Sequence, residues 1–302
     1  AARAEVEERN ILIKDLGKTI QSIEKLIASS QEIEEVKLDI DRTTLQRSIA
    51  KLEQEWRPLR FHNKPQIEQA LVEYADFRQL LVSTGAQLID LESADKLTID
   101  SIYTRDSILI SPNGLILCNM GRASRTPEAK ANAAAYQAAG HRVAGEICAP
   151  GTLEGGDFIW LDRHHAAVGL GPRTNAEGIR QLKELLGPDV ELHEVELPAP
   201  DHPDDVLHLM SIISPIDQDL ALIYRPFMPA SFIQWLETLG IGFVDVPEEE
   251  YLIMGCNVLA VAPRRAIMLE NLPGVKMRLE AAGCHVTTYR GMEISRQGEG
   301  GP

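Results

Sequence analysis

The chain is short of aromatic residues, cysteine and positive charge, and it holds no long uninterrupted apolar run. Each shortage excludes something. Thirty lysines and arginines face 45 aspartates and glutamates, a net charge of −15. Nucleic acid needs a concentrated basic surface, which this balance disfavours, whereas a small cation would be drawn in. No stretch approaches the ~20 apolar residues that span a bilayer. The opening AARAEVEERN lacks the apolar core of a secretory signal. Cys118, Cys148, Cys256 and Cys284 are scattered, without CxxC or zinc-ligand spacing. Neither a disulfide framework nor a metal site is expected, and a cytoplasmic location is. The remaining composition is ordinary: 44% hydrophobic and 25% charged residues over 302 positions, enough for one large domain or two.

What is present is a repeat of about 50 residues, read each time as strand, strand, helix, strand. In the clearest copy DFIWL and HAAVGL flank a turn at Asp162, the helix NAEGIRQLKELL follows, and VELHEVEL closes the unit. An upstream copy pairs SIYTRDSILI with LILCNM, then a helix over 127–139, then HRVAGEI. Two downstream copies follow the same order, with helices near 230–239 and 274–282. Gly140, Gly240 and Gly283 stand just past three of these helices, where a left-handed residue ends a helix at little cost. Part of a fifth copy is visible in a helix over 66–82, Gly85 as its stop, and a strand AQLIDL. Its leading strands would have to come from ILIKDL and VKLDID, in a segment that otherwise reads as helical and charged. Three strands per helix exclude a doubly wound sheet, in which strands and helices alternate singly. Repeats of this kind turn their sheets toward a common axis, which becomes the natural site.

Polar groups set where apolar strand residues belong mark the candidates for chemistry. They are Arg105 and Asp106 within SIYTRDSILI, Glu154 and Asp157 around Gly155-Gly156, Arg173-Thr174-Asn175 before a helix, and His208 at the head of a strand. Each has a plainer role: an exposed edge pair, a tight turn, a helix N-cap, a core histidine. Position favours chemistry, because three clusters lie at the same end of successive repeats. Carboxylates can hold a planar cation through paired hydrogen bonds, arginines suit an α-carboxylate, and a histidine oriented by a carboxylate is an acid/base near neutral pH. His164, His165, His202 and the run Glu248-Glu249-Glu250 read as solvated loop residues. No strong nucleophile is evident.

The segments DSIYTRDSILI, GRASRTPE, TLEGGDFIWL, VGLGPRTNAEG, LHLMSIISPID, MGCNVLAVAP and GMEISRQGEGGP resemble those of the guanidino-group-modifying enzymes, the amidinotransferase and arginine deiminase superfamily. The likeness is greatest to the bacterial dimethylarginine dimethylaminohydrolase branch and runs from about residue 52 to the end. It implies an α/β fold, a pentein-type propeller of five ββαβ modules. The expected domains are a helical, charged segment over 1–48 and a catalytic propeller over 49–302. By matched position His208 is the general acid/base and Glu154 the carboxylate that orients it. Asp100 and Asp106 hold the guanidinium, and Arg125 and Arg173 bind the substrate carboxylate. Arg122 is a poorer match than Arg125, and Asp157 is structural.

The resemblance implies hydrolysis of a C–N bond through a cysteine thiouronium, with no metal or organic cofactor. The substrate is a small arginine derivative, and a homodimer is compatible with the pattern. Met210 stands where deiminases and amidinotransferases carry an acid two positions after the histidine. This favours dimethylarginine, giving citrulline and an alkylamine, over arginine. The alternatives are an arginine deiminase or dihydrolase, and an inactive ligand- or partner-binding propeller. The family's nucleophile follows a glycine-rich segment, here Gly298-Glu299-Gly300-Gly301-Pro302, where the sequence stops. The chain as given is therefore expected to lack it, with Cys256 matching a non-catalytic strand position.

Overall fold

The structure, a computed structural model, describes residues 42–91, 94–199 and 207–301. The chain divides into two compact units. The first holds described residues 42–87 and 290–298, and the second holds 88–289 and 299–301. Helix α1 (Arg42–Glu55) spans residues 48 and 49, where the expected domains meet. Residues 1–41, including ILIKDL and VKLDID, and His202 lie outside the described residues.

In the first unit α2 (Ile67–Ser83) follows α1, with Gly85 beyond it at φ 88°. The amide of Glu293 donates to the buried Glu73 Oε2 at 2.9 Å, and the Glu293 carboxylate accepts the Gln66 amide at 2.6 Å. AQLIDL, expected as a strand, forms none.

The second unit contains four three-stranded sheets. The first is β1 (Ile108–Ser111), β2 (Gly114–Leu117) and β3 (Val143–Glu146), with α3 (Glu128–Ala138) between β2 and β3. The second is β4 (Phe158–Trp160), β5 (His165–Leu170), α4 (Ala176–Leu186) and β6 (Glu191–Glu196). The third is β7 (Ile213–Asp217), β8 (Leu220–Ile223), α5 (Ala230–Thr238) and β9 (Gly242–Asp245). After the short helix α6 (Glu248–Tyr251) comes the fourth: β10 (Val258–Ala262), β11 (Arg265–Leu269), α7 (Pro273–Ala281) and β12 (His285–Tyr289). A final short helix, α8 (Ser295–Gly298), belongs to the first unit. In every sheet the first two strands form an antiparallel hairpin and the third joins in parallel after the helix crossover. That is the repeat read from the sequence, in four copies.

The sequence patterns explain these elements. In α4 the spacing of Ile179, Leu182 and Leu186 gives one apolar stripe, and all three are buried under the second sheet. Burying one such side chain contributes roughly 1.5–3 kcal/mol. Asn175 caps α4 by accepting the Gly178 amide at 2.8 Å. Gly140, Gly240 and Gly283 all adopt positive φ after their helices, and Gly187 does so after α4. The expected strand over SIYTRDSILI is shorter than its apolar run suggests. Residues 99–102 and 104–107 form two 3₁₀ turns, and only 108–111 is strand. Here the polar Asp100, Arg105 and Asp106 take the chain out of the ladder. HLMSIISPI behaves likewise, with a 3₁₀ turn at Leu209–Ser211 ahead of β7. Glu250, expected in a solvated loop, is buried and accepts the Gly274 and Val275 amides at 2.7 Å each, capping the N-terminus of α7.

Candidate active site

In an antiparallel hairpin the start of the first strand and the end of the second lie at the same end. The repeat therefore gathers the segments just before β1, β4 and β7 with those just after β2 and β5. The first set carries Asp100, Asp106, Glu154, Asp157 and His208. The second carries Arg122, Arg125, Arg173 and Thr174.

At the centre, His208 Nε2 meets Glu154 Oε2 at 2.9 Å, with the Glu154 side chain fully buried and that of His208 12% exposed. The other carboxylate oxygen of Glu154 accepts the Arg122 main-chain amide at 3.0 Å and Arg173 Nη1 at 3.4 Å. Burial opposes the charge on Glu154, but the hydrogen bond and charge of His208 outweigh it and hold the carboxyl down at about 2. Burial likewise opposes the charge on His208, but Asp157, Glu154 and Asp106 overcome it and raise the imidazole to about 9. The pair is thus an imidazolium against a carboxylate at neutral pH. Gly156 lets the ring come this close: a Cβ there would stand 2.7 Å from His208 Nδ1. The Gly156 amide also donates to Asp106 Oδ1 at 3.0 Å, tying the guanidinium-holding candidate to the histidine's seat.

The three arginines are placed very differently. Arg125 is buried and spends its whole guanidinium on the protein. Its Nε and Nη2 form a fork on Glu128 at 2.8 Å each, and Nη1 reaches Asp106 Oδ2 at 2.6 Å. Nη2 also donates to the carbonyls of Asp100 and Tyr103 at 3.2 and 3.0 Å. Burial opposes its charge, yet Asp106 and Glu128 keep it firmly cationic. Arg122 Nη1 donates to Asp100 Oδ2 at 2.8 Å, with its side chain 23% exposed. Burial pushes the Asp100 carboxyl up, against Arg122, Arg125 and Arg173. Arg173 has a looser contact, the 3.4 Å approach to Glu154.

Sequence reasoning missed Glu128, the fork partner of Arg125, because a glutamate in the first turn of a helix is ordinary. The pair Thr174-Asn175, whose plainer role is a helix N-cap, divides the work. Asn175 does the capping, while the Thr174 hydroxyl donates to Asp157 Oδ2 at 2.7 Å and accepts the Glu154 amide at 3.1 Å. Asp157 is fully buried and also accepts the Leu209 amide at 3.0 Å. Arg105, one residue before Asp106, lies with Nε 2.7 Å from Met210 Sδ.

Cys118, Cys256 and Cys284 lack the environment of a nucleophile, which must reach its thiolate near neutral pH. Cys118 and Cys256 are buried, and burial pushes both thiols far up. Burial raises Cys284 as well. Gly300 and Gly301 of the glycine-rich segment lie beside the site: a Cβ on Gly300 would overlap the Tyr103 ring, and one on Gly301 would meet Asn257. Among the described residues no group of three or more histidines, cysteines and carboxylates is placed to hold a metal. No described helix is long and apolar enough to cross a membrane.

Residues 42–301 match the family described as N,N dimethylarginine dimethylhydrolase, eukaryotic. The N(G),N(G)-dimethylarginine dimethylaminohydrolase of Streptomyces coelicolor is 27% identical over 204 residues, 68% of this chain and 72% of the relative. The same-named protein of Pseudomonas aeruginosa is 26% identical over 231 residues, covering 76% of this chain and 83% of its own length. An arginine deiminase of Mycobacterium marinum is 30% identical over 236 residues, but those span only 58% of that protein. Among solved structures, a dimethylarginine dimethylaminohydrolase adduct with S-methyl-L-thiocitrulline superposes with a TM-score of 0.67 at 25% identity, over 79% of this chain and 88% of that one. The N-terminal domain of ArgZ, a cyanobacterial arginine dihydrolase, gives 0.68 at 21% identity, over 78% and 84%, a likeness of fold.

Proposed function

The chain belongs to the N,N-dimethylarginine dimethylhydrolase family, and from that premise we propose that it is a hydrolase that converts dimethylarginine to citrulline and an alkylamine. The observation that carries this reading is the buried His208–Glu154 pair, 2.9 Å apart, with Asp106 tied to the same turn through Gly156. We read the four ββαβ units as four of the five modules of a pentein-type propeller, a reading the likeness to solved dimethylarginine dimethylaminohydrolases supports.

Asp106 and Asp100 present carboxylates for the substrate guanidinium, and Arg173 with Arg122 presents cations for its α-carboxylate. Arg125, saturated by the protein, acts as the clamp that holds Asp106 in place. A cysteine thiolate attacks the guanidinium carbon, and the C–N bond to the alkylated nitrogen breaks. His208, protonated beforehand, gives its proton to the departing amine, leaving a covalent thiouronium. The now neutral imidazole takes a proton from water, whose oxygen adds to the same carbon. Collapse releases the ureido product and the thiolate. An imidazole held at about 9 suits the acid role, and the positive charge of the thiouronium beside it lowers that value toward the base role.

The nucleophile of this scheme is the cysteine that follows the glycine-rich segment in the family pattern, and the packing of Gly300 on Tyr103 supports its delivery to the site. The four free cysteines suit a reducing, cytoplasmic setting. Arginine deiminase or dihydrolase activity is the second reading, favoured by the M. marinum relative. Met210, rather than an acid, two positions after His208 weighs against it.

The test supplies dimethylarginine and arginine separately to the protein with a cysteine in place after the glycine-rich segment, and measures citrulline. Turnover of dimethylarginine that vanishes in His208→Ala is the expected result. Faster turnover of arginine moves the assignment to the second reading, and no turnover by folded protein sinks both.

A further inference from the structure

Asp157 is fully buried, and nothing in the reaction above uses it. Its carboxylate sits in a built seat. One oxygen accepts the Thr174 hydroxyl at 2.7 Å and the other the Leu209 amide at 3.0 Å. Gly169 leaves the room for it, since a Cβ there would stand 3.1 Å from Asp157 Oδ1. Leu209 is the residue next to His208, and the same Thr174 hydroxyl accepts the main-chain amide of Glu154 at 3.1 Å. A single hydroxyl therefore joins the Asp157 carboxylate to the main chain of Glu154, the residue whose carboxylate meets the histidine. Resting on the reading of His208 as the acid/base, we propose that Asp157 is a positioning residue for the reaction: anchored by Thr174, it fixes the main chain that carries His208 and sets a second anion behind the imidazole.

The charged groups that face His208 are Asp157, Glu154 and Asp106. Glu154 is in turn faced by Arg173 and Arg125. Burial holds Asp157 up at about 6, so it is anionic at neutral pH and protonates in mild acid. A plain structural brace would need the hydrogen bonds of Asp157 and not its charge. Asp157→Asn separates the two, because the amide oxygen can still accept from Leu209 and the threonine hydroxyl can turn to accept from the amide nitrogen.

The test follows the His208 imidazole by NMR through a pH titration of the chain, with Asp157→Asn, Thr174→Val and Thr174→Ser alongside. Loss of a nearby anion lowers the midpoint of a histidine by about 1 unit or more. The expected result is that fall in Asp157→Asn, a smaller fall in Thr174→Val, and a native midpoint in Thr174→Ser. An unmoved midpoint in folded Asp157→Asn overturns the proposal and leaves a brace. If Asp157→Asn does not fold, an unmoved midpoint in Thr174→Val overturns it instead. In active enzyme the alkaline limb of kcat/KM should move to lower pH with the midpoint. A midpoint that moves in a protein making no citrulline keeps the placement of Asp157 and sinks only the proposed reaction.

Discussion

At the scale of single residues, the site concentrates buried charge, so removing one partner costs more than an exposed pair would. Arg125→Ala would leave Glu128 and Asp106 without their cation. It should lower unfolding stability by about 3–5 kcal/mol in urea titrations. Arg173, with one contact at 3.4 Å, should behave oppositely. Arg173→Ala should leave the urea midpoint near native and raise KM roughly 10- to 100-fold, the worth of a charge-assisted hydrogen bond to substrate. His208 also couples stability to pH. Its folded value of about 9 lies above the ordinary 6.5, so the native state holds a proton that the unfolded chain releases first. Its contribution is complete below about pH 6.5 and is lost as pH rises through 9, on the order of 3 kcal/mol. Urea midpoints across that range should fall in the native protein and flatten in His208→Gln; equal slopes would mean that the imidazole is not charged in the fold. Of these residues, His208, Glu154, Asp106 and Arg173 could be picked from sequence because each is a polar group at an apolar strand's edge. Glu128 could not, since a glutamate in the first turn satisfies an ordinary helix-start pattern.

At the scale of elements, helix termini place the site. Asn175 accepts both the Gly178 amide and the Thr152 amide, so the start of α4 is fastened to the segment leading into Glu154. Asn175→Ala should cost about 1 kcal/mol for the cap alone and should also lower kcat, because Thr174 and Glu154 are neighbours of the two fastened points. A stability loss with unchanged kcat would confine Asn175 to capping. The strand ends follow the same logic. The residues before β1 and β7 were expected as strand, yet they coil into 3₁₀ turns. A 3₁₀ turn sets successive side chains roughly 120° apart and brings every third one to the same side, where a pleated strand would send neighbours to opposite faces.

At the scale of the whole molecule, a net charge of −15 creates a field that attracts a cationic substrate. Salt screens such a field over about 8 Å at physiological ionic strength. KM for dimethylarginine should therefore rise with added sodium chloride while kcat changes little. A KM indifferent to salt would mean that only the contacts within the site recognise the cation.

The repeat, its helix stops and its three strands per helix were legible in the sequence because period, glycine placement and apolar runs are local properties, and local physics fixes them. The relation of one repeat to the next was not. Thr174 reaching the Asp157 carboxylate and the Glu154 main chain, Arg125 closing on Glu128 and Asp106, and a glycine yielding space to a histidine 52 residues along the chain are distances between segments (Gly156 and His208). No single segment contains them. They are decided when four sheets pack and bury these groups together, since only in a low-dielectric interior must each charge find its partner.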